Sequence, residues 1–320
     1  GAEELGSLLD DKLLLKDFDK VIASCEKRGD MDVKRWFACT FIQLLLSSRF
    51  LFDKFIIKRE NTEDDQEGSW SLKELRVSKK SPRYVNTEFG YYRERDKEQK
   101  SLERNRECLM IQSALRVSYT SPKVMHWITE LLTWLFDDES ELPELSGRAE
   151  RIAAEAVAEG FFEKALEEMG AYDLREYKSE DYAFGVGTPH IVFNYLDYLL
   201  WKKAKKTHRD FVFEFRNSVE HWYPQHPSDG SIEPWEGRDV FGNLCIISRS
   251  VNSKFSNLSP ESKMKSYKKM VQKGSLKLRI MGGIIEGGSS EKWRQSACAK
   301  HEEKMISLLC EAVREAVEEE

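Results

Sequence analysis

The chain has 320 residues, 40% hydrophobic and 33% charged, with 17 Phe, 11 Tyr and 8 Trp; this excludes a disordered chain and allows one large or two ordinary domains. Net charge is −6, but residues 201–300 carry 19 Lys/Arg against 10 Asp/Glu while residues 1–200 carry 29 against 39. A basic segment suited to a polyanion therefore sits beside an acidic one, and the net value alone does not exclude nucleic acid.

The first two hundred residues are predicted to be helical. Leu8, Leu9, Leu13, Leu15, Phe18, Val21 and Ile22 approximate a 3.6-residue stripe. A second helix is predicted over 31–58, with Trp36, Phe37, Phe41, Leu44, Leu45 and Phe52 inside. Lys34, Arg35, Arg49, Asp53 and Lys54 interrupt this apolar region, so it is expected to be a core helix and not a membrane span. Asn61–Gly68 reads as a polar loop, and 70–90 as a short strand or irregular packing. Arg93–Val117 is predicted to be a long helix with an exposed first half. Ser121-Pro122 and Thr188-Pro189 each place a capping hydroxyl before a proline at a helix start. Ser146 opens a run through Met169 that Gly170 closes. The acidic segment 137–144 is expected to be an exposed connector, and the Thr188 helix is expected to reach about Lys206.

After Lys206 the period changes. FVFEF (211–215) alternates as a strand does and leads to Glu220-His221. A loop with Pro224, Pro227, Gly230, Pro234 and Gly237 follows, and FGNLCIIS (241–248) predicts a second strand. VNSKFSN (251–257) predicts a helical turn. Ser259-Pro260 starts a helix with Met264, Tyr267 and Val271 at helical spacing and Gly274 at its end. Strand, loop, strand, helix is a small ββα unit. Six scattered cysteines (Cys25, Cys39, Cys108, Cys245, Cys298, Cys310) form no C-x-x-C pair or Cys/His cluster, which reads as reduced thiols of a cytoplasmic protein.

The ββα unit is expected to converge Glu220 and His221, at the end of its first strand, with Asn243 at the entry to the second and Asn252 on the helix. These are the parts a one-metal phosphodiesterase needs. A hard cation, Mg²⁺ or Mn²⁺, takes oxygen ligands, here Glu220 and Asn252. His221 takes the proton of an attacking water, and Asn243 is expected to orient the imidazole through its side chain or carbonyl. Asn257 is assigned to capping or loop hydrogen bonding, and Trp222 and Tyr223 to packing. Lys202, Lys203, Lys205, Lys206 and Arg209 precede the site, and Lys254, Lys265, Lys268, Lys269 and Lys273 follow it. Both clusters are candidates for holding DNA phosphates. Lys263 either joins them or lies on a solvated helix face.

The runs EHWYPQ (220–225), GNLCII (242–247) and NSKFSN (252–257), with Lys263 beyond, resemble the (D/E)-H-x-x-P-Q … G-N-L … N-x-x-x-x-N … K pattern of HNH nucleases. In particular they resemble the C-terminal nuclease domain of GmrSD-type, modification-dependent (type IV) restriction endonucleases. The step from Asn243 to Asn252 is also similar to the nuclease domain of RNA-guided CRISPR effectors. The resemblance covers about residues 208–305, and Trp293 with a closing helix containing His301 fits the family's tail. It implies a mainly α chain: a helical scaffold domain over 1–207, then an HNH (His-Me finger, ββα-metal) nuclease domain over 208–320. It implies DNA as substrate, modified as in phage, and no membrane. Family members usually begin with a nucleotide-hydrolysing ParB-like domain carrying a D-G-Q-Q-R-type motif. That motif is not found, and the chain begins with Gly, so an NTPase module is expected elsewhere in a longer protein or on a separate subunit. The alternative is a catalytically degenerate DNA-binding or scaffold module of a defence protein.

Overall fold

A computed structural model describes residues 11–26, 32–62, 65–78, 81–86, 95–137, 144–170, 174, 184–228, 233, 235–287 and 293–318. The expected connector over 137–144 lies mostly outside them. The chain is mainly helical. Its first elements are helices α1 (Asp11–Glu26) and α2 (Val33–Phe55), strands β1 (Lys58–Thr62), β2 (Asp65–Ser71), β3 (Lys73–Ser78) and β4 (Ser81–Asn86), then helices α3 (Arg95–Ser118) and α4 (His126–Asp137). Next come α5 (Leu145–Val157), a π-helical turn over Ala158–Phe162, α6 (Glu163–Met169) and α7 (His190–Lys203). The hairpin strands β5 (Ser218–His221) and β6 (Leu244–Ile247) follow, then α8 (Arg249–Phe255), α9 (Pro260–Lys273), α10 (Leu276–Glu286) and α11 (Gln295–Glu318). Contacts divide the chain into two units, residues 1–90 with 120–142 and residues 91–119 with 143–320.

In the first unit, Asp32 starts α2 by accepting from Arg35 N at 3.2 Å. Phe18 of α1 meets Phe37 and Phe41 edge-on, with centroids 5.7 and 5.0 Å apart. Phe55 and Ile56 are buried, but Leu45, Leu46 and Phe50 are exposed, so α2 is a core helix only toward its C-terminal end. The polar loop expected over 61–68 is instead part of an antiparallel hairpin of β1 with β2, and of the two readings of 70–90 the strand one holds, as a second hairpin of β3 with β4. The hydrophobic pattern missed them because they have little buried face to reveal: Leu75 and Val77 stay exposed. Backbone ladders hold them together.

In the second unit, α3, α5, α7 and α11 pack around one core. Ala149 and Ala153 of α5, both fully buried, let neighbouring helices approach closely. Every residue of α7 from Ile191 to Leu199 is buried, including two polar ones. Asn194 Nδ2 donates to Ser118 Oγ at 2.9 Å. Asp197 accepts from Lys277 N at 2.9 Å, and burial raises its carboxyl to about 6. The helix starts at His190. Thr188 does not cap it, since its hydroxyl donates to Gly185 O at 2.8 Å. FVFEF is not a strand either. Phe211 and Phe213 are buried and Val212 is exposed, so the alternation is real. No strand is assigned to the run, and the described ladder begins at Ser218.

A second core cluster underlies the hairpin. Trp222, Tyr223, Cys245, Ile247, Phe255, Met264, Val271, Leu278, Met281 and Trp293 belong to it. It fixes the hairpin against α8, α9 and α10, and so sets where the candidate site lies.

Candidate active site

Strands β5 and β6 pair antiparallel, with Glu220 opposite Cys245 and His221 opposite Leu244. One step further, Trp222 N donates to Asn243 O at 2.8 Å. The two-residue period puts Ser218 and Glu220 on one face and sends His221 to the other. Ser248 caps α8 by accepting from Val251 N at 3.4 Å, and α8 carries Asn252 back to β5. There Asn252 Nδ2 donates to Ser218 Oγ at 2.7 Å. The amide of Asn252 therefore joins the face that holds Glu220.

Ser259 caps α9, accepting from Ser262 N at 3.2 Å, with Pro260 in its first turn. The next residue, Lys263, turns inward. Its ammonium is fully buried and donates to Glu220 Oε1 at 2.9 Å, His221 O at 2.7 Å and Trp222 O at 3.1 Å. All three donors are used. Burial lowers its pKa, and the Glu220 charge opposes that shift. Lys263 is thus neither on a solvated face nor available to a phosphate. It braces the strand end.

His221 is buried, and its Nε2 lies 2.6 Å from Asp239 Oδ1. Burial lowers its pKa, while the hydrogen bond and charge of Asp239 work against that shift. A neutral imidazole at neutral pH is the form a general base requires. Asn243 was the expected orienting group, but its side chain is committed elsewhere. Its Oδ1 accepts from Tyr223 N at 2.8 Å and Trp293 Nε1 at 3.1 Å. Its Nδ2 donates to Tyr223 O at 3.0 Å and Arg238 O at 2.9 Å. Both donors and both acceptor positions of the amide are filled, and its backbone carbonyl holds Trp222. Asn243 ties the two ends of the inter-strand loop together, and Asp239 holds the ring. No motif announced Asp239; it stands eighteen residues after His221 in an irregular loop.

A second buried lysine was also missed. Lys277 donates to the carbonyls of Phe241 at 2.7 Å, Gly242 at 3.4 Å and Leu244 at 2.5 Å, and burial lowers its pKa to about 8. Each strand of the hairpin is therefore gripped by one buried ammonium. Gly242 is required for a different reason: a Cβ there would lie 2.6 Å from Glu302 Cβ and 2.9 Å from Cys298 O. His301 packs edge-on against Trp293 at 5.6 Å and is buried, in keeping with a structural role.

The two basic clusters differ. Lys202 pairs with Glu150, Lys203 with Glu311 and Lys205 with Glu107, so the upstream cluster is largely engaged within its own unit. Lys254, Lys265, Lys268 and Lys269 are exposed. Among the described residues Lys268 pairs with Glu286, and no carboxylate pairs with Lys254, Lys265 or Lys269.

Among the described residues no group of three or more His, Cys, Asp and Glu is placed to hold a metal ion. The donors present suit a different kind of site. Glu220 gives one oxygen to Lys263, and among the described residues no protein donor takes Oε2. Asn252 is tied through its nitrogen, and no described donor takes its Oδ1. Both residues are half-buried, and the Glu220 side chain is 12% exposed. Both are oxygen donors, the ligand type a hard cation prefers. No described helix is long and apolar enough to cross a membrane.

Residues 176–308 match the family of GmrSD restriction endonucleases, C-terminal domain. No curated protein and no solved structure matches the chain.

Proposed function

We propose, from the match of residues 176–308 to the C-terminal domain of GmrSD restriction endonucleases, that the chain is a metal-dependent HNH endonuclease hydrolysing DNA phosphodiesters. The feature that supports this reading is a hairpin end that carries a buried imidazole held by Asp239 on one face and the side-chain oxygens of Glu220 and Asn252 on the other. Residues 208–320 supply the chemistry as a ββα-metal domain, and 1–207 serve as scaffold. A water attacks phosphorus, its proton passes to His221, and the P–O3′ bond breaks with its electron pair on the leaving oxygen. Glu220 and Asn252 hold the divalent ion, Mg²⁺ or Mn²⁺. When bound, that ion supplies charge stabilisation at the leaving oxygen. Lys254, Lys265, Lys268 and Lys269 contact backbone phosphates, giving salt-dependent binding without sequence readout. The target is modified DNA, as in phage, and the setting is cytoplasmic restriction with an NTPase module on the same or another chain.

The test is nicking of supercoiled plasmid with Mg²⁺, Mn²⁺ or EDTA, with RNA assayed in parallel. Nicked and linear DNA are expected with either ion and none with EDTA, and RNA is expected to stay intact. DNA retarded in a gel but uncut with both ions would replace this reading with a degenerate binding module.

A further inference from the structure

Asp239 belongs to no sequence motif, yet its carboxylate is the hydrogen-bond partner of the His221 ring. We propose that Asp239 is a positioning residue that sets the tautomer and orientation of His221, an inference resting on the nuclease reading above. A neutral imidazole that donates Nε2–H to a carboxylate carries its lone pair on Nδ1. The water's proton is then received at Nδ1, and the imidazolium that forms is stabilised by Asp239.

Three observations support the assignment. The first is how Asp239 is held. Asn243 Nδ2 donates to Arg238 O at 2.9 Å, and Asn243 N donates to Val240 O at 3.0 Å. The residues on both sides of Asp239 are therefore pinned by one buried asparagine. Asn243 acts on the imidazole through this bracket and not by touching it. The second is charge: among the described residues no Lys or Arg pairs with Asp239, and its charged oxygen faces the His221 ring at 2.6 Å. The third is the wall behind it. Gly185, in the left-handed region at φ +51°, packs its backbone beside Asp239. A Cβ there would stand 3.5 Å from the Asp239 Cβ and Cγ and 3.7 Å from Oδ1. Gly185 thus lies beside the carboxylate with room for no more than one ordinary contact, while the Asp239 side chain is 48% exposed. Exposure of that edge leaves room for solvent beside the His221–Asp239 pair.

The test uses the full chain labelled with ¹⁵N at histidine. Long-range ¹⁵N–¹H correlation at a pH where His221 is neutral should show it as the Nε2–H tautomer. Asp239→Ala should turn that signal into a mixture of tautomers. It should also lower kcat for plasmid nicking about 10²-fold with KM for DNA unchanged. Asp239→Glu, which keeps the acceptor, should recover part of both. A pure Nε2–H tautomer persisting in Asp239→Ala, or nicking equal to or faster than wild type, overturns the assignment. The spectrum needs no activity. A wild-type chain that fails to cut therefore overturns the nuclease reading, while the loss of the tautomer in Asp239→Ala still supports the role of Asp239.

Discussion

His221→Ala is expected to lower the rate of plasmid nicking by about 10²–10⁴-fold, the usual contribution of a positioned general base, while leaving the fold intact. The variant keeps the features that shape the hairpin. The ladder pairing of His221 with Leu244 uses backbone atoms, as do the hydrogen bonds from Trp222 N to Asn243 O and from Lys263 to the carbonyl of residue 221. What is lost is the ring and its bond to Asp239, a carboxylate already partly in solvent. Initial nicking rates set beside far-ultraviolet dichroism and a thermal melt separate the two effects. A variant that cuts at the wild-type rate would remove His221 from the chemistry.

Lys263→Met is expected to act first on stability, by about 3–5 kcal/mol, because removing one partner of a buried pair leaves the other uncompensated. The ammonium is fully buried and satisfies three acceptors at once: the Glu220 carboxylate and the carbonyls of His221 and Trp222. Methionine fills the volume but donates nothing, so two buried carbonyls and a mostly buried carboxylate lose their donor. The same bonds orient Glu220, so cleavage should fall as well. Denaturant unfolding of the two proteins measures the difference. A loss below about 1 kcal/mol, the scale of an exposed pair, would mean that Lys263 leaves its buried position and sits at the surface.

How much of this was legible in the sequence varies from residue to residue. The signal at Ser259, a hydroxyl before proline, marks a true cap of α9; the same signal at Ser121 caps only a three-residue 3₁₀ turn over Pro122–Val124, and α4 begins at His126. Thr188-Pro189 carries the same signal, but Pro189 itself takes the N-cap position before His190, and the Thr188 hydroxyl turns back to Gly185 O. The order of two short strands and a helix near Glu220, Asn243 and Asn252 was also readable, since turn formers and apolar runs mark it. FVFEF misled because burial alternates there although no strand is assigned to it, and period two reports burial and not pairing. Lys263 is assigned from sequence to a phosphate contact or a solvated face, and Lys277 draws no assignment, because lysine is usually a surface residue. Only the tertiary structure shows that each ammonium meets three acceptors. Asp239 was invisible for a related reason. It reaches His221 from a distant irregular loop, and its placement depends on a bracket of hydrogen bonds made by Asn243.

The most direct measurement is anomalous scattering from crystals of the chain soaked in Mn²⁺. The proposed mechanism predicts one peak within about 2.0–2.6 Å of oxygens from both Glu220 and Asn252, the range of hard-cation coordination. A saturated ion bound elsewhere, with these two side chains untouched, would contradict it.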